Sequence, residues 1–218
     1  MGDVVKKIVS IGSWIALIVL SFCALAGEVY SVPTYVSVIA LFLSFTSADI
    51  AMRPISEKRD EFSPSVSIAL FLLTPFVLVL PYYENKLLIS ELLPQFDIPL
   101  ISSVGIGCVL VGAVITFFGR TQLGRFGGPK IVVEEDHKLI TKGIYNYIRH
   151  PMYLGYLVLF SGFCLSFRSY IITVLIASGL FEVFRRRMNL EERLLEREFG
   201  EEYRSYMGRT KRLIPFLY

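Results

Sequence analysis

The sequence predicts an all-α, polytopic integral membrane protein with about six transmembrane helices, within a range of five to seven. Of its 218 residues, 54% are apolar and only 19% carry a charge. Four segments of about 18 to 20 residues carry almost no charge, which is the length that an α-helix needs to cross a bilayer core of about 30 Å. The distribution of lysine and arginine is the third observation, because it orients these spans.

The first four predicted spans lie at residues 8–26, 33–50, 65–82 and 100–119. The first of them is similar to a signal peptide, but its apolar run exceeds the roughly 7 to 15 residues of a signal-peptide core. We therefore expect it to be a span. The charged segment 52–64 predicts a short cytoplasmic loop. Residues 83–99 are too polar to cross and predict a short amphipathic segment at the outer surface.

Two more apolar segments follow in the second half of the chain, at 152–167 and 169–184, and Arg168 separates them. This spacing predicts a C-terminal helical hairpin. Beyond it, Leu190, Leu194 and Leu195 recur at helical spacing in a tail rich in both charge signs. We expect the sixth helix to continue into the cytosol as an amphipathic helix. It should end near Phe199 and Gly200, because glycine commonly follows the last residue of a helix.

The positive charges are strongly biased to one side of the predicted membrane. With six spans and a cytoplasmic N-terminus, 20 of the 22 lysines and arginines fall on the inner side, and only Lys86 and Arg168 lie outside. Cytoplasmic loops carry this excess in membrane proteins. Both termini are therefore predicted to be cytoplasmic, together with the loop that begins at Arg120 and the charged tail.

Glycines recur every seven residues in the fourth and fifth predicted spans. Small residues on one face let two helix backbones approach closely within a membrane, although the same residues could instead leave room for a lipid tail. The glycines are Gly105, Gly112 and Gly119 in the fourth span, and Gly155 and Gly162 in the fifth.

The three cysteines, Cys23, Cys108 and Cys164, lie in apolar segments without paired spacing. This pattern indicates neither a disulfide nor a metal site, so we expect buried small hydrophobes.

The segment 137–153 is the longest polar, ring-rich part of the chain and contains both histidines, His137 and His150. Gly143 allows a turn, and Pro151 suits the first turn of a following helix. Such a segment is typical of a pocket for a polar, charged ligand. The alternative is a membrane-interface loop with aromatic and basic anchors. Two histidines without a third ligand make a poor metal site, so no metal is expected.

Two blocks carry a family resemblance. Residues 139–155 read Leu-Ile-Thr-x-Gly-x-Tyr-x-x-x-Arg-His-Pro-x-Tyr-x-Gly, and residues 187–206 read Arg-x-x-x-Glu-Glu-x-x-Leu-x-x-x-Phe-Gly-x-x-Tyr-x-x-Tyr. Together they resemble the C-terminal half of the isoprenylcysteine carboxyl methyltransferase family, over about residues 120–218. The resemblance implies a methyltransferase region at 120–218. Residues 1–119 would form transmembrane helices 1–4, which carry no recognisable motif.

The resemblance also implies which residues form the site. Arg187 matches the position that orients the substrate carboxylate, and contacts between Gly124 and Glu135 stay unassigned. The implied S-adenosylmethionine-binding residues are His137, Lys138, Leu139, Ile140, Tyr145, His150, Pro151, Met152, Tyr153 and Glu191.

Three charged residues have structural alternatives. Glu191 suits the ammonium or ribose of the cofactor, but it could instead pair with Arg187 one helical turn away. Arg187 could clamp a carboxylate through a bidentate fork, or it could extend the anchoring run that begins at Arg185. Glu182 lies within the sixth span. An acid is costly in a membrane and is therefore first considered as a functional residue, but Arg185 or Arg186 could neutralise it.

The predicted function is an integral-membrane carboxyl O-methyltransferase that moves a methyl group from S-adenosylmethionine to a membrane amphiphile, first of all the carboxylate of an isoprenylcysteine. Its partners are the lipid bilayer and a lipophilic or prenylated substrate, without a nucleic acid. The alternatives are phospholipid amine N-methylation, an NADPH-dependent sterol-reductase-like activity, and a scaffold without catalysis. The sequence does not identify the methyl acceptor or the oligomeric state.

Overall fold

The computed structural model describes residue 39 and the ranges 77–124, 138–214 and 218. The described residues are mostly helical and contain no β-strand, and a single parallel bridge pairs Ile148 with Lys211. The predicted spans at 8–26 and 33–50 and most of 65–82 lie outside these ranges, apart from residue 39. The number of spans therefore stays a prediction.

Five α-helical segments organise the described residues. Short 3₁₀ turns at Pro94–Phe96 and Gly143–Asn146 lie in two of the connections. Proline stands at the start of two of the helices, where its missing N–H costs nothing. The segments are α1 (residues 77–92, containing a π-helical stretch at Glu84–Ser90), α2 (Pro99–Leu123), α3 (Pro151–Ser166), α4 (Tyr170–Phe199) and α5 (Glu201–Arg209).

Of the described helices, α2 alone is long and apolar enough to cross a membrane. It has 25 residues and a mean hydropathy of 2.3 in its most apolar window. The predicted helix at 100–119 is confirmed, although it continues to Leu123 and ends at Gly124, whose φ of 54° is left-handed. The apolar helix α3 has only 16 residues.

Helices α2 and α3 pack in close contact through their glycines. A Cβ atom added at Gly112 would lie 2.6 Å from the carbonyl oxygen of Gly155, and one added at Gly162 would lie 2.8 Å from the carbonyl oxygen of Gly105. No side chain fits at these positions, so the packing interpretation of the glycine pattern is confirmed. Beside this contact, Val109, Leu159, Phe163 and Cys164 form a buried apolar cluster.

Three residues connect α3 to α4, and Arg168 among them has a φ of 57°. Helix α4 has 30 residues and extends from apolar sequence into the charged tail. It ends at Phe199, where Gly200 takes a φ of 51° and donates its N–H to the Glu196 carbonyl over 2.9 Å. The predicted end of this helix is confirmed. The hairpin, as an arrangement in a membrane, stays a prediction.

Polar side chains surround the connection between α3 and α4, and we call this group the turn end: Glu84, Asp97, Arg168 and Ser169. Glu84 accepts the backbone N–H groups of Ile171 and Ile172 over 2.8 and 2.9 Å, and the hydroxyl of Ser169. A carboxylate there satisfies the unpaired donors of the first turn of α4. Arg168 pairs with Asp97 over 2.8 Å.

Helix α1 continues ten residues past the predicted boundary at 82, and this continuation carries Glu84 to the turn end. The sequence suggested a boundary there because the residues become polar. The structure maintains the helix because those polar groups find partners: Asn85 and Ser90 both donate to the Asp97 carboxylate, over 3.4 and 3.3 Å.

Candidate active site

The predicted site residues converge at the other end of α3, where His150 directly precedes the helix. The side chain of His150 is almost fully buried, and Pro151 forms the first turn of α3. The middle of α4, the helix α5 and the segment 211–214 surround this point. We call this region the site end.

The segment 211–214 is hydrogen-bonded to the residues before α3. The N–H groups of Arg149 and His150 donate to the carbonyls of Lys211 and Arg212 over 2.8 and 3.0 Å, and Lys211 N–H donates to the Tyr147 carbonyl over 3.2 Å. Leu213 is buried against apolar residues of α4. Residues far apart in sequence therefore form one wall of the site.

Glu192 lies at the centre of this wall and is buried. Its Oε1 atom accepts from Arg149 Nε and His150 Nε2, each over 3.0 Å, and Arg212 donates to both oxygens. Arg149 also donates to the Thr210 carbonyl over 2.6 Å. Burial alone would raise the pKa of Glu192, but the bonds from His150, Arg212 and Arg149 outweigh it and hold that pKa well below its ordinary value of 4.5.

Tyr153 links the two charged residues that the sequence singled out on α4. Its hydroxyl donates to Glu191 Oε2 over 2.8 Å and accepts from Arg187 Nε over 2.8 Å. The Tyr153 ring lies nearly parallel to the rings of His150 and Phe184, with centroids 5.5 and 5.0 Å away. The Tyr153 phenol therefore joins Glu191 to Arg187. The sequence alone allows a direct ion pair between these two residues as an alternative.

The turn before the site is built around Tyr145. Gly143 has a φ of 62°, so the expected turn is confirmed. The Tyr145 hydroxyl donates to the Gly119 carbonyl over 3.2 Å, and the Tyr145 carbonyl accepts the Tyr206 hydroxyl over 2.6 Å. Burial raises the pKa of Tyr206 to about 12, so this phenol keeps its proton at neutral pH. The turn thus ties α2 to α5.

The structure brings most, but not all, of the predicted site residues together. Lys138 is exposed, and Leu139 and Ile140 are half-buried in an irregular segment; among the described residues, no side-chain hydrogen bond joins these three to the cluster. His137 lies outside the described residues. The residues that do converge are Tyr145, His150, Pro151, Met152, Tyr153, Arg187 and Glu191, and their roles in binding stay predictions.

Residues that the sequence analysis did not select complete the site. Glu192 is adjacent to Glu191, and Arg149 stands within the quoted Arg-His-Pro motif, so both carried a signal. Arg212 carried none, because it is one of many tail cations and its partner lies 20 residues away. Arg120, at the end of α2, is buried and donates to the Tyr156 hydroxyl over 2.8 Å.

Glu182 does not take part in the site. It forms ion pairs with Arg185 and Arg186, each over 2.7 Å. The structural interpretation of this acid is therefore confirmed. Among the residues that the structure describes, no group of three or more histidine, cysteine and acidic side chains is placed to hold a metal ion.

The site end combines groups that suit an organic ion. The side chain of Glu191 is 32% exposed, against 10% for Glu192, so only Glu191 offers its carboxylate to a ligand. Arg187, on the same face one turn away, carries a planar guanidinium. Parallel aromatic rings lie beside both charges. This arrangement can bind a positive and a negative group at neighbouring positions.

Comparisons with known proteins all match methyltransferases. The family profile described as Phospholipid methyltransferase matches residues 100–202. Two rice proteins, from Oryza sativa subsp. indica and subsp. japonica, are each named probable protein-S-isoprenylcysteine O-methyltransferase. Each is 32% identical over 141 residues, which cover 64% of this chain and 72% of the relative. The protein-S-isoprenylcysteine O-methyltransferase of Schizosaccharomyces pombe is 29% identical over 57% of this chain and 55% of its own.

A solved structure shares the fold. It is that of the eukaryotic intramembrane Ras methyltransferase ICMT (isoprenylcysteine carboxyl methyltransferase), and the match has a TM-score of 0.64. The match covers 93% of this chain and 73% of the other, at 20% identity. At that identity the likeness concerns the fold.

Proposed function

The chain belongs to the protein-S-isoprenylcysteine O-methyltransferase family, and we propose that it is an integral-membrane enzyme that transfers a methyl group from S-adenosylmethionine to the carboxylate of an isoprenylcysteine. One observation carries the proposal. The Tyr153 hydroxyl joins Glu191, an anion for the cofactor, to Arg187, a cation for the substrate. The two partners of a methyl transfer thus have adjacent binding groups.

The residues at the site end fit S-adenosylmethionine. Among the described residues, Glu191 Oε1 accepts no hydrogen bond and the Glu191 side chain is 32% exposed, so this oxygen can accept from the ammonium group or from a ribose hydroxyl. The bound cofactor would supply an electrophilic methyl group, which departs as the sulfur keeps the electron pair of the broken bond.

Arg187 would orient the acceptor. A carboxylate is already ionised at neutral pH, so the reaction needs no general base. It needs an aligned nucleophile and the exclusion of water. A planar guanidinium binds a carboxylate through two parallel hydrogen bonds and fixes its direction. The hydrogen bond from Arg187 Nε to Tyr153 would in turn hold the guanidinium in place.

The membrane positions the substrate. Helix α2 is long and apolar enough to span a bilayer, and its last turn lies against the turn that carries Tyr145. A lipid-anchored acceptor would reach the site laterally from the bilayer, whereas the cofactor would arrive from the cytosol. The charge bias of the sequence supports this orientation, with both termini on the cytoplasmic side.

Phospholipid amine methylation is the second candidate, because the matching family profile carries that description. An amine must be neutral to attack, and a cation beside it opposes the positive charge that develops on the nitrogen. The guanidinium of Arg187 therefore favours a carboxylate acceptor over an amine.

Two measurements on the full chain in detergent or lipid nanodiscs test the proposal. Calorimetry should show binding of S-adenosylhomocysteine, in the micromolar range, and no tight binding of NADPH. Radiolabelled S-adenosylmethionine should then methylate a farnesylated cysteine and leave phosphatidylethanolamine unmodified. NADPH binding without nucleoside binding would refute the methyltransferase assignment, and labelling of phosphatidylethanolamine alone would replace the acceptor.

A further inference from the structure

Glu192 accepts hydrogen bonds from groups that enter from two separate parts of the chain. Arg149 and His150 precede α3, and Arg212 follows α5; all three donate to the one carboxylate. Every neighbour bonded to it is a donor. A carboxylate, which only accepts, is therefore the one side-chain group of this size that satisfies all of them.

This contact determines which ring nitrogen of His150 carries a proton. His150 Nε2 lies 3.0 Å from Glu192 Oε1. An unprotonated Nε2 would direct its lone pair at the carboxylate, so Nε2 must be the donor. The other ring nitrogen, Nδ1, lies 3.8 Å from Glu191 Oε2. Glu192 therefore sets both the tautomer and the orientation of the ring.

The orientation of His150 matters because its ring supports Tyr153. The two rings are nearly parallel, with an interplanar angle of 22°. Tyr153 in turn places its hydroxyl between Glu191 and Arg187. A rotated imidazole would lose the parallel contact and free the phenol to move. Glu192 thus stands at the start of a series of side chains that ends at the two groups assigned to cofactor and substrate.

The segment 211–214 depends on the same carboxylate. Besides the side-chain bonds of Arg212, the backbone of this segment accepts from Arg149 and His150. To these backbone bonds Glu192 adds a side-chain contact that the tail shares with His150, and its loss would loosen both.

We propose that Glu192 is a positioning residue that holds His150 against Tyr153 and makes cofactor binding depend on the docking of segment 211–214. The inference rests on the proposed function, because it takes the site end to be the cofactor site. Glu192 itself touches no reacting atom. It acts through His150, as the outer partners of metal-bound histidines act through the ring they orient.

The first experiment compares Glu192→Gln with the control Glu196→Gln in the full chain. Glutamine offers one acceptor and one donor, so either Arg212 or the pair of Arg149 and His150 loses its partner. We expect S-adenosylhomocysteine affinity to fall by roughly 10- to 100-fold, as for other partners that orient a binding histidine. The KM for S-adenosylmethionine should rise, and kcat should fall by a smaller factor, because Tyr153 also holds Arg187. Glu196 pairs with exposed Arg204, and its variant should match the wild type.

The second experiment observes the ring directly in the wild-type protein. The chain contains only 2 histidines, so ¹⁵N spectra of histidine-labelled protein show two imidazoles, and His137→Gln assigns them. We expect a protonated Nε2 for His150 and a shifted signal in Glu192→Gln. A neutral His150 protonated at Nδ1 in the wild type would overturn the proposal.

Two further outcomes keep the inference separate from the proposed function. An affinity loss in Glu192→Gln with unchanged His150 signals would place the effect in the tail alone and refute the positioning role. If the wild-type protein binds no S-adenosylhomocysteine, the proposed function fails, whereas the His150 spectrum still tests what Glu192 does to the ring.

Discussion

The two polar groups at opposite ends of α3 are built from the same kinds of side chain, yet they offer different things to a ligand. About 24 Å of helix separates them, since α3 has 16 residues at 1.5 Å each. At the turn end, Glu84 accepts backbone N–H groups and the Ser169 hydroxyl, and Asp97 accepts Arg168. Both acids therefore stabilise the fold through these contacts.

At the site end, the hydrogen bonds of the fold also satisfy the carboxylate of Glu192, but they do not fully satisfy that of Glu191. Glu192 is surrounded by donors, whereas Glu191 is half-buried and retains an oxygen that accepts from no described residue. A cluster of charged residues therefore does not by itself indicate a binding site. We propose that the ligand-binding acid is the one whose bonding capacity the fold leaves incomplete.

The largest expected effect is a loss of methyl transfer when Arg187, the substrate residue of the site end, is replaced. Arg187→Lys keeps the charge but loses the planar fork, so methyl transfer to a farnesylated cysteine should fall by about 100-fold through lost alignment. S-adenosylhomocysteine affinity should survive, because lysine can still donate one hydrogen bond to Tyr153. The control Arg186→Lys, whose residue pairs with Glu182, should be fully active. Normal transfer by Arg187→Lys would refute the substrate assignment.

The next largest effect is weaker nucleoside binding when Glu191, the cofactor residue of the site end, is replaced. Glu191→Gln removes a charge-assisted bond, so S-adenosylhomocysteine binding should weaken by about 1.5 to 3 kcal/mol, or roughly 10- to 100-fold. Calorimetry measures it directly. The matched variant at the turn end, Glu84→Gln, should bind the nucleoside as the wild type does. Equal losses in both variants would mean that the two ends do not differ as described.

At the turn end, a substitution should lower the stability of the protein and leave nucleoside binding unchanged. Glu84→Gln places an amide donor where the first-turn N–H groups of α4 need an acceptor, so unfolding should become easier by about 1 to 3 kcal/mol. Thermal unfolding in detergent, monitored by circular dichroism, measures the change. A stable variant with reduced nucleoside affinity is the opposite result and would give the turn end a role in binding.

The smallest effect concerns acid stability at the site end. The pKa of Glu192 lies below its ordinary value of 4.5 in the folded protein. Its stabilisation is therefore complete above that pH and is lost as the pH falls through the folded-state pKa. The melting temperatures of the wild type and Glu192→Gln should differ at neutral pH and converge in acid. A difference that persists unchanged in strong acid would show that the charge of Glu192 is not its source.

Most of the local structure could be predicted because its causes are local. Proline at the start of α3, the left-handed glycine after α4, and the glycine-lined contact of α2 with α3 follow from backbone sterics and spacing. The continuation of α1 beyond residue 82 could not be predicted. Its polar residues predict the end of the helix. The helix continues because those residues form hydrogen bonds with distant segments, which the sequence does not reveal.

By itself, the sequence determined the helical membrane class, the two family blocks and the proximity of Arg187 to Glu191, because composition and helical period act over a few residues. The tertiary structure decided the partners: Tyr153 between Arg187 and Glu191, and Arg212 on Glu192. These contacts join residues 34 and 20 positions apart. Whether a buried acid is saturated or available depends on which donors the folded chain brings to it, and no local pattern encodes that.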